Sequence, residues 1–362
     1  MWKENGQMKI EEIIKKEVLG QTAYAIDPRT CRIKLDANEN PHPLPAGFKE
    51  KIRDRLDSLL LNRYPQAGSP DLKFSAAGSM GVTEDMILIG NGSDELIQTL
   101  LTAIRPDPAG GVMIPVPTFA MYKIGAINTS HTVIEIPLND GFDLPIDTML
   151  DIISKKSPAI TLLSYPNNPS GNCFDAEKIK AIIAASEGIV VVDEAYFNFS
   201  RKTFLPYLEK WDNLVILRTL SKVGLAALRI GVMVAHPSLI HQLDKVRLPY
   251  NLNMVSQVAG QLFFDHEKEF LPQMDDIIAG REWLLDALKK IDGIVPYPSD
   301  ANFILFSCHA DKNSVYEDLI KREILIKNFP SSGPLKDCMR VTVGTTEENE
   351  AFIKALKEVM IP

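Results

Sequence analysis

The sequence is poor in cysteine and histidine. Four cysteines occur in 362 residues, and neither they nor the six histidines are spaced as ligand pairs. A structural metal site needs such pairs, and a secreted disulfide framework needs a denser set of cysteines. We therefore expect free thiols, a cytoplasmic protein and no bound metal.

The sequence also lacks an excess of positive charge and any long apolar run. Its 39 lysines and arginines are outnumbered by 47 aspartates and glutamates, so the net charge is −8. An acidic chain is a poor partner for nucleic acid or an anionic membrane. No signal-peptide core, bilayer-length apolar segment, internal repeat or low-complexity region is found. We expect neither nucleic acid nor membrane as a partner.

The pattern of the chain indicates an α/β protein. From about residue 45 to 250, strand-like and helix-like segments alternate, which is typical of a mainly parallel sheet wrapped by helices. Past Pro249, helices rich in leucine and charge come first and two strand-like segments follow. Near the start, Ile13, Ile14 and Val18 stand at helical spacing, which predicts an amphipathic helix.

Lys222 follows a strand-like segment. Residues 214–217 are an apolar run, and a glycine-containing loop that ends at Arg229 comes after Lys222. An amine at the end of a buried strand is partly withdrawn from water, so it loses its proton easily and can attack a carbonyl. Taken alone, a loop lysine is far more often a solvated surface residue.

Two more apolar runs end in polar side chains. Residues 189–192 are an uninterrupted β-branched run, typical of a strand buried on both faces, and Asp193 follows. Asn168 follows another run, in a turn that prolines make rigid. Ligands of open α/β folds bind at the carboxyl ends of strands, so both side chains are candidate ligand contacts. The alternatives are a turn-capping role for Asp193 and an ordinary turn at Asn168.

Residues 87–96 predict a strand, a glycine-rich turn and the start of a helix. Free backbone N–H groups at such a helix start bind phosphate, and Gly92 lets the anion approach the main chain. The alternative is structural, because Ser93 is a good N-cap and Asp94 complements the helix dipole. The segment is neither a Walker nor a dinucleotide motif.

A strand near the end of the chain carries Arg340. Strand parity places Arg340 and Thr342 on the face opposite Met339 and Val341. A forked guanidinium on a rigid strand suits a substrate carboxylate. An exposed edge-strand arginine is the alternative.

The ordered set of motifs resembles a known family. The chain is similar to the fold-type I aminotransferases that use pyridoxal 5′-phosphate, and within them to the histidinol-phosphate aminotransferase group. The resemblance runs from about Tyr24 to Gly344 and is carried by residues 35–41, 63–65, 90–95, 117–122, 167–171, 193–196 and 221–222.

This resemblance implies a large pyridoxal-phosphate domain over residues 45–250, with a seven-stranded type of sheet. Residues 1–44 and 251–362 would form a smaller α+β domain from both chain ends. It also implies a homodimer with shared active sites, in which Tyr64 reaches the phosphate in a second subunit.

The resemblance also implies the site residues. Lys222 would hold the cofactor aldehyde covalently and move protons, Asp193 would keep the pyridine nitrogen protonated, and Asn168 with Tyr196 would bind the phenolic oxygen. Tyr122 would stack on the ring. The implied phosphate contacts are Gly92, Ser93, Asp94, Thr219, Ser221 and Arg229, together with the second subunit's Tyr64. The implied substrate contacts are Tyr24, Asn38, Lys327 and Arg340.

The implied activity is transamination between histidinol phosphate and 2-oxoglutarate in histidine biosynthesis. Two departures from the family bear on it. The loop between Lys222 and Arg229 is one residue shorter than usual, which leaves the position of Arg229 open. Lys327 stands where close relatives have an arginine, and it keeps the charge but loses the planar fork. The alternatives are amino acid phosphate decarboxylation, a broader-specificity aromatic aminotransferase, and a cofactor-sensing regulator, for which the segment before the cofactor domain is too short.

Overall fold

The computed structural model describes residues 10–23, 27–106 and 110–360. Its strands are β1 Ile33–Leu35, β2 Ile87–Asn91, β3 Val112–Val116, β4 Val133–Pro137, β5 Ile160–Ser164, β6 Ile189–Asp193, β7 Leu214–Thr219, β8 Ile230–Ala235, β9 Ile294–Pro296, β10 Phe303–Cys308, β11 Ile324–Asn328 and β12 Cys338–Thr342. Its α-helices are α1 Ile10–Ile13, α2 Lys16–Leu19, α3 Phe48–Leu56, α4 Pro70–Met80, α5 Ser93–Ala103, α6 Ala120–Asn128, α7 Ile146–Lys156, α8 Ala176–Ala185, α9 Phe197–Ser200, α10 Pro237–Leu243, α11 Met254–Asp265, α12 Leu271–Leu288, α13 Lys312–Lys321 and α14 Thr346–Met360.

Seven strands form one sheet in the order β2-β8-β7-β6-β5-β3-β4. Only β8 runs against the others, because it pairs antiparallel with both β2 and β7 while the remaining pairs are parallel. Alternate residues of β6 enter two different cores, with Val190 and Val192 on one face and Val191 on the other. A strand buried on both faces needs such an unbroken apolar run. The predicted mainly parallel, seven-stranded sheet wrapped by helices is confirmed.

A second sheet has five strands in the order β1-β11-β12-β10-β9. Strand β1 comes from the start of the chain and pairs parallel with β11, whereas the other pairs are antiparallel. Met339 and Val341 of β12 are fully buried. The division into a large domain over residues 45–250 and a smaller domain from residues 1–44 and 251–362 stays a prediction.

The predicted amphipathic helix near the start is wrong as a single element. The structure has two short helices, α1 and α2, and the backbone of Lys15 between them is extended. The Lys15 amine donates to the Asn128 carbonyl and to the Ser130 hydroxyl, each at 3.1 Å. A tertiary contact of this kind outweighs weak local helix propensity. Among the described residues, no helix combines the length and apolarity needed to span a membrane.

Candidate active site

The predicted site segments meet where the parallel strands of the seven-stranded sheet have their carboxyl ends. Since β2, β5, β6 and β7 all point the same way, their carboxyl ends lie at a common edge. Gly92 follows β2, Asn168 follows β5, Asp193 ends β6 and Lys222 follows β7. The topology therefore brings together residues that are up to 130 positions apart in the sequence, from Gly92 to Lys222.

Lys222 provides a partly buried amine. It lies in a single π-helical turn, Ser221–Leu225, and its Nζ donates to the carbonyl oxygen of Ala37 at 3.3 Å. Burial lowers the pKa of this amine to about 8, and the nearby charge of Arg340 acts in the same direction. At neutral pH a useful fraction of Lys222 is therefore unprotonated, as a nucleophile or general base requires.

Asp193 provides a buried carboxylate. Its side chain is 3% exposed and accepts hydrogen bonds from the Tyr122 hydroxyl at 2.7 Å and the Ala195 backbone N–H at 3.0 Å. Burial raises the pKa of Asp193 to about 6, and the two hydrogen bonds limit the rise. The group is an anion at neutral pH, and a cationic ligand atom would offset its desolvation.

Tyr122 contacts Asp193 directly. Its ring is 0% exposed, and burial raises the pKa of its hydroxyl well above the ordinary value, so it remains a hydrogen-bond donor. The half-buried Phe119 packs edge-on against this ring, with centroids 5.6 Å apart. The stacking role predicted for Tyr122 stays a prediction, and Phe119 is an aromatic neighbour that the sequence reasoning missed.

Asn38, Asn168 and Tyr196 form a hydrogen-bonded group beside Lys222. The Tyr196 hydroxyl accepts from the side-chain amide of Asn38 at 2.9 Å and from that of Asn168 at 3.3 Å. The Lys222 Nζ is 5.8 Å from the centroid of the Tyr196 ring. The three polar side chains thus converge near the amine, as binding of one ligand oxygen would need.

Arg340 joins this group from the second sheet. Its Nη1 donates to the Asn168 side-chain oxygen at 2.5 Å, and its Nη2 donates to the Asp36 carbonyl at 2.7 Å. On the neighbouring strand, Lys327 is in register with Arg340. Burial, followed by the charge of Arg340, lowers the pKa of the half-buried Lys327. The two adjacent cations would favour an anionic ligand group.

An anion-binding geometry lies at the start of α5. The backbone of Gly92 has φ +83°, and Ser93 and Asp94 form the first turn of the helix. Arg229 donates from Nη1 to the Ser221 hydroxyl and from Nη2 to the Asp94 carboxylate, both at 3.1 Å. The short loop therefore still places the guanidinium beside the helix start.

Thr219 and Ser221 complete this arrangement. The Thr219 hydroxyl donates to the Ser221 hydroxyl at 3.0 Å and accepts from the Ser221 backbone N–H at 3.1 Å. Two hydroxyls, a guanidinium and free helix N–H groups are the donors that a phosphate prefers. The Gly92 N–H itself donates to the Gly90 carbonyl at 2.9 Å. The donors that fit the phosphate of the cofactor expected from the sequence are therefore the Ser221 hydroxyl, the Arg229 guanidinium and the N–H groups of the first turn of α5.

Two predicted residues are not placed with the others. Tyr64 is 78% exposed and stacks on Tyr250, with ring centroids 4.5 Å apart. Tyr24 lies outside the described residues. The sequence reasoning also gave no role to Thr342, which contacts Asn38, although strand parity had already placed Thr342 on the face of Arg340.

Comparison with known proteins gives the class of the chain. Residues 31–356 match the family described as aminotransferase class I and II. The chain belongs to this family.

Two curated relatives are named histidinol-phosphate aminotransferases. One, from Nitrosococcus oceani, is 42% identical over 352 residues, covering 96% of this chain and 98% of the relative. Another, from Aquifex aeolicus, is 37% identical over 348 residues, with the same coverage. The solved histidinol-phosphate aminotransferase of Sinorhizobium meliloti, in complex with pyridoxal-5′-phosphate, superposes with a TM-score of 0.86 at 22% identity. It covers 96% of this chain and 97% of that chain. This likeness confirms the predicted fold-type I architecture.

Proposed function

We propose that this protein is a pyridoxal-phosphate-dependent aminotransferase that moves an amino group between histidinol phosphate and 2-oxoglutarate in histidine biosynthesis. The observation that carries the proposal is the convergence of the Lys222 amine, the Asp193 carboxylate and the Arg340 guanidinium at the edge of the sheet. The named relatives, at 37–42% identity over nearly the whole chain, support this choice of substrates.

The residues present fit the cofactor. Asp193 is a buried anion suited to a protonated pyridine nitrogen, and Asn168 with Tyr196 suits a phenolic oxygen. Arg229 and Ser221, beside the start of α5, suit the phosphate. Pyridoxal phosphate, when bound, supplies an aldehyde that captures amines and a ring that accepts electrons.

Lys222 and Asp193 then divide the proton chemistry. Lys222 would hold the cofactor aldehyde covalently, and its amine, when free, would be the base for the proton on the substrate Cα. Because burial lowers the pKa of Lys222 to about 8, the released amine can act as a base near neutral pH. Asp193 would keep the proton on the pyridine nitrogen, so that the ring could accept electrons.

Arg340 and Lys327 are the proposed anchors for the far end of the substrate. Histidinol phosphate has no carboxylate, so its phosphate would use the cations that hold the carboxylate of glutamate in the other half-reaction. The two residues are in register on adjacent strands. Asn38, whose side chain is 2% exposed, lies beside Tyr196, and Tyr24 is proposed to close the pocket.

We also propose a cytoplasmic homodimer with shared active sites. Tyr64 is highly exposed and stacks on Tyr250, which leaves it accessible for a role in a partner's phosphate site. The segments that contain Tyr64 and Tyr250, together with α4, carry further exposed apolar side chains, which suit burial at an interface. These are Leu60, Leu61, Phe74, Leu248 and Tyr250. The free cysteines suit a reducing compartment.

The function is tested by mixing the purified protein with pyridoxal phosphate, histidinol phosphate and 2-oxoglutarate and measuring glutamate. Borohydride reduction followed by peptide mapping should place the pyridoxyl group on Lys222, and a Lys222→Ala variant should yield neither glutamate nor labelled peptide. Label on a different lysine would contradict the site. Faster turnover with an aromatic amino acid than with histidinol phosphate would favour the broader-specificity alternative.

A further inference from the structure

Asn38 has an unusual backbone conformation for its position. Its φ is +55°, in the left-handed region that asparagine tolerates better than most residues but that still favours glycine. Asn38 is also almost fully buried, with its side-chain amide directed at Tyr196. Such a conformation persists only where surrounding contacts hold it.

Those contacts come from Thr342 on β12 and from Asn302, which directly precedes β10. The Thr342 hydroxyl accepts from the Asn38 backbone N–H at 3.0 Å and lies 3.3 Å from the Asn38 side-chain oxygen, to which it donates. The Asn302 side-chain amide donates to the Asn38 carbonyl at 3.0 Å. The backbone N–H, the backbone carbonyl and the side-chain oxygen of Asn38 are therefore all occupied.

The hydrogen bond that the Asn38 side-chain oxygen accepts fixes the orientation of the whole side-chain amide. An asparagine side chain can be turned by 180° without a change of shape, and its neighbours determine which end is the donor. Since the Asn38 oxygen faces the Thr342 hydroxyl, its NH₂ group must face the Tyr196 hydroxyl. Thr342 thus determines which hydrogen bond Tyr196 receives.

Asn302 would destabilise the folded state if its side chain served only packing. It is fully buried, and within the described part of the chain its side-chain oxygen has no hydrogen-bond partner. An apolar side chain would avoid that cost, whereas the amide supplies the donor to Asn38. The cost is consistent with a role that depends on the position of Asn38.

We propose that Thr342 and Asn302 are positioning residues that hold Asn38 in its left-handed conformation and thereby orient the Tyr196 hydroxyl toward the cofactor oxygen. This inference rests on the proposed function for its last step. The step from Thr342 to Asn38 depends only on contacts within the chain.

The first experiment measures the contact without cofactor. Thr342→Val removes the hydroxyl at nearly constant shape, Thr342→Ser retains it, and Thr161→Val makes the same change at another buried threonine, on β5. Hydrogen–deuterium exchange of a peptide covering residues 36–41 should be about tenfold faster in Thr342→Val than in wild type, as expected for one lost hydrogen bond. Thr342→Ser should restore slow exchange, and Thr161→Val should leave it unchanged.

The second experiment measures the consequence for the site. With pyridoxal phosphate bound, the visible absorption of the cofactor can be followed as a function of pH. The pH at the midpoint of this titration should differ between Thr342→Val and wild type. The kcat of Thr342→Val should fall by about tenfold, with a smaller change in KM. Asn38→Gly, which keeps the backbone conformation but removes the amide, should move the midpoint in the same direction.

Unchanged exchange in Thr342→Val would overturn the inference. So would faster exchange with an unmoved midpoint and normal kcat, because Thr342 would then be only structural. Failure of the wild-type protein to carry label on Lys222 would instead refute the proposed function and, with it, the last step. The hydrogen–deuterium exchange data would still show whether the Thr342 hydroxyl holds the Asn38 segment in place.

Discussion

The buried amine of Lys222 should reduce the stability of the protein when no cofactor is bound. A tenfold change in proton affinity is about 1.4 kcal/mol. Lowering the pKa from 10.5 to about 8 therefore costs the folded state about 3 kcal/mol at neutral pH. Replacing Lys222 with methionine removes this cost but also loses the hydrogen bond to Ala37, worth about 1 kcal/mol. We expect Lys222→Met to be more stable by about 2 kcal/mol near pH 7.

The sign of the pH dependence of stability follows from the pKa of Lys222 in the unfolded chain and its lower pKa in the folded chain. Between pH 8 and pH 10.5 the unfolded chain still binds the proton while the folded chain has released it, so wild-type stability rises with pH in this window. Well below pH 8 both states are mainly protonated and the penalty is nearly complete. Near pH 9.5 the penalty has fallen to less than half of its value near pH 7, and the advantage of Lys222→Met should shrink accordingly.

Urea unfolding of the cofactor-free proteins, followed by circular dichroism at about pH 7 and about pH 9.5, measures this difference. Protein concentration should be held constant, since association also contributes to stability. Lys49→Met, at an exposed position on α3, is the matched control and should differ little from wild type. A Lys222→Met protein that is no more stable near pH 7, or whose advantage persists near pH 9.5, would refute the reasoning.

Further predictions concern the proposed roles of individual side chains. Asp193→Asn should retain the fold but lose most turnover, because an amide cannot hold the proton on the ring nitrogen; near wild-type kcat would contradict that role. Heterodimers with Tyr64→Ala in one subunit and Lys222→Ala in the other should regain one intact site if Tyr64 serves the partner; isolated heterodimers without activity would place Tyr64 in its own subunit. Arg340→Ala should weaken both half-reactions, whereas Lys327→Ala should weaken the reaction of histidinol phosphate more, by about 1 to 3 kcal/mol. Single-turnover spectroscopy with each amino donor measures this, and equal losses for both donors would argue against the phosphate role of Lys327.

Residues that follow strands were predictable from the sequence. An unbroken apolar run before Asp193 indicates a strand buried on both faces, and the rule for ligands in α/β sheets then gives the edge at which the carboxylate lies. The same reasoning applies to Asn168 and Lys222. In each case a local pattern and a general rule of topology are sufficient.

Contacts between distant segments were not predictable in this way. Asn38 and Thr342 are 304 residues apart in the sequence, and nothing local to either residue indicates the other. The position of Arg229 was open because its loop is short, and the left-handed backbone at that residue, with φ +53°, is visible only in the folded chain. The break at Lys15 likewise depends on a distant partner, Asn128.

The two glycines beside Arg229 restrict how this protein can evolve or be engineered. A Cβ at Gly231 would lie 2.4 Å from the backbone carbon of Gly92, so the main chain would have to shift to accommodate it. A Cβ at Gly92 would lie 2.6 Å from Arg229 Nη2, at a backbone conformation that disfavours any side chain. Alanine at Gly231 would therefore require a shift of the Gly92 backbone whatever residue occupies position 229, and alanine at Gly92 would be strained by its positive φ. Libraries that redesign substrate choice should leave this strand pair constant and vary the strands of the second sheet.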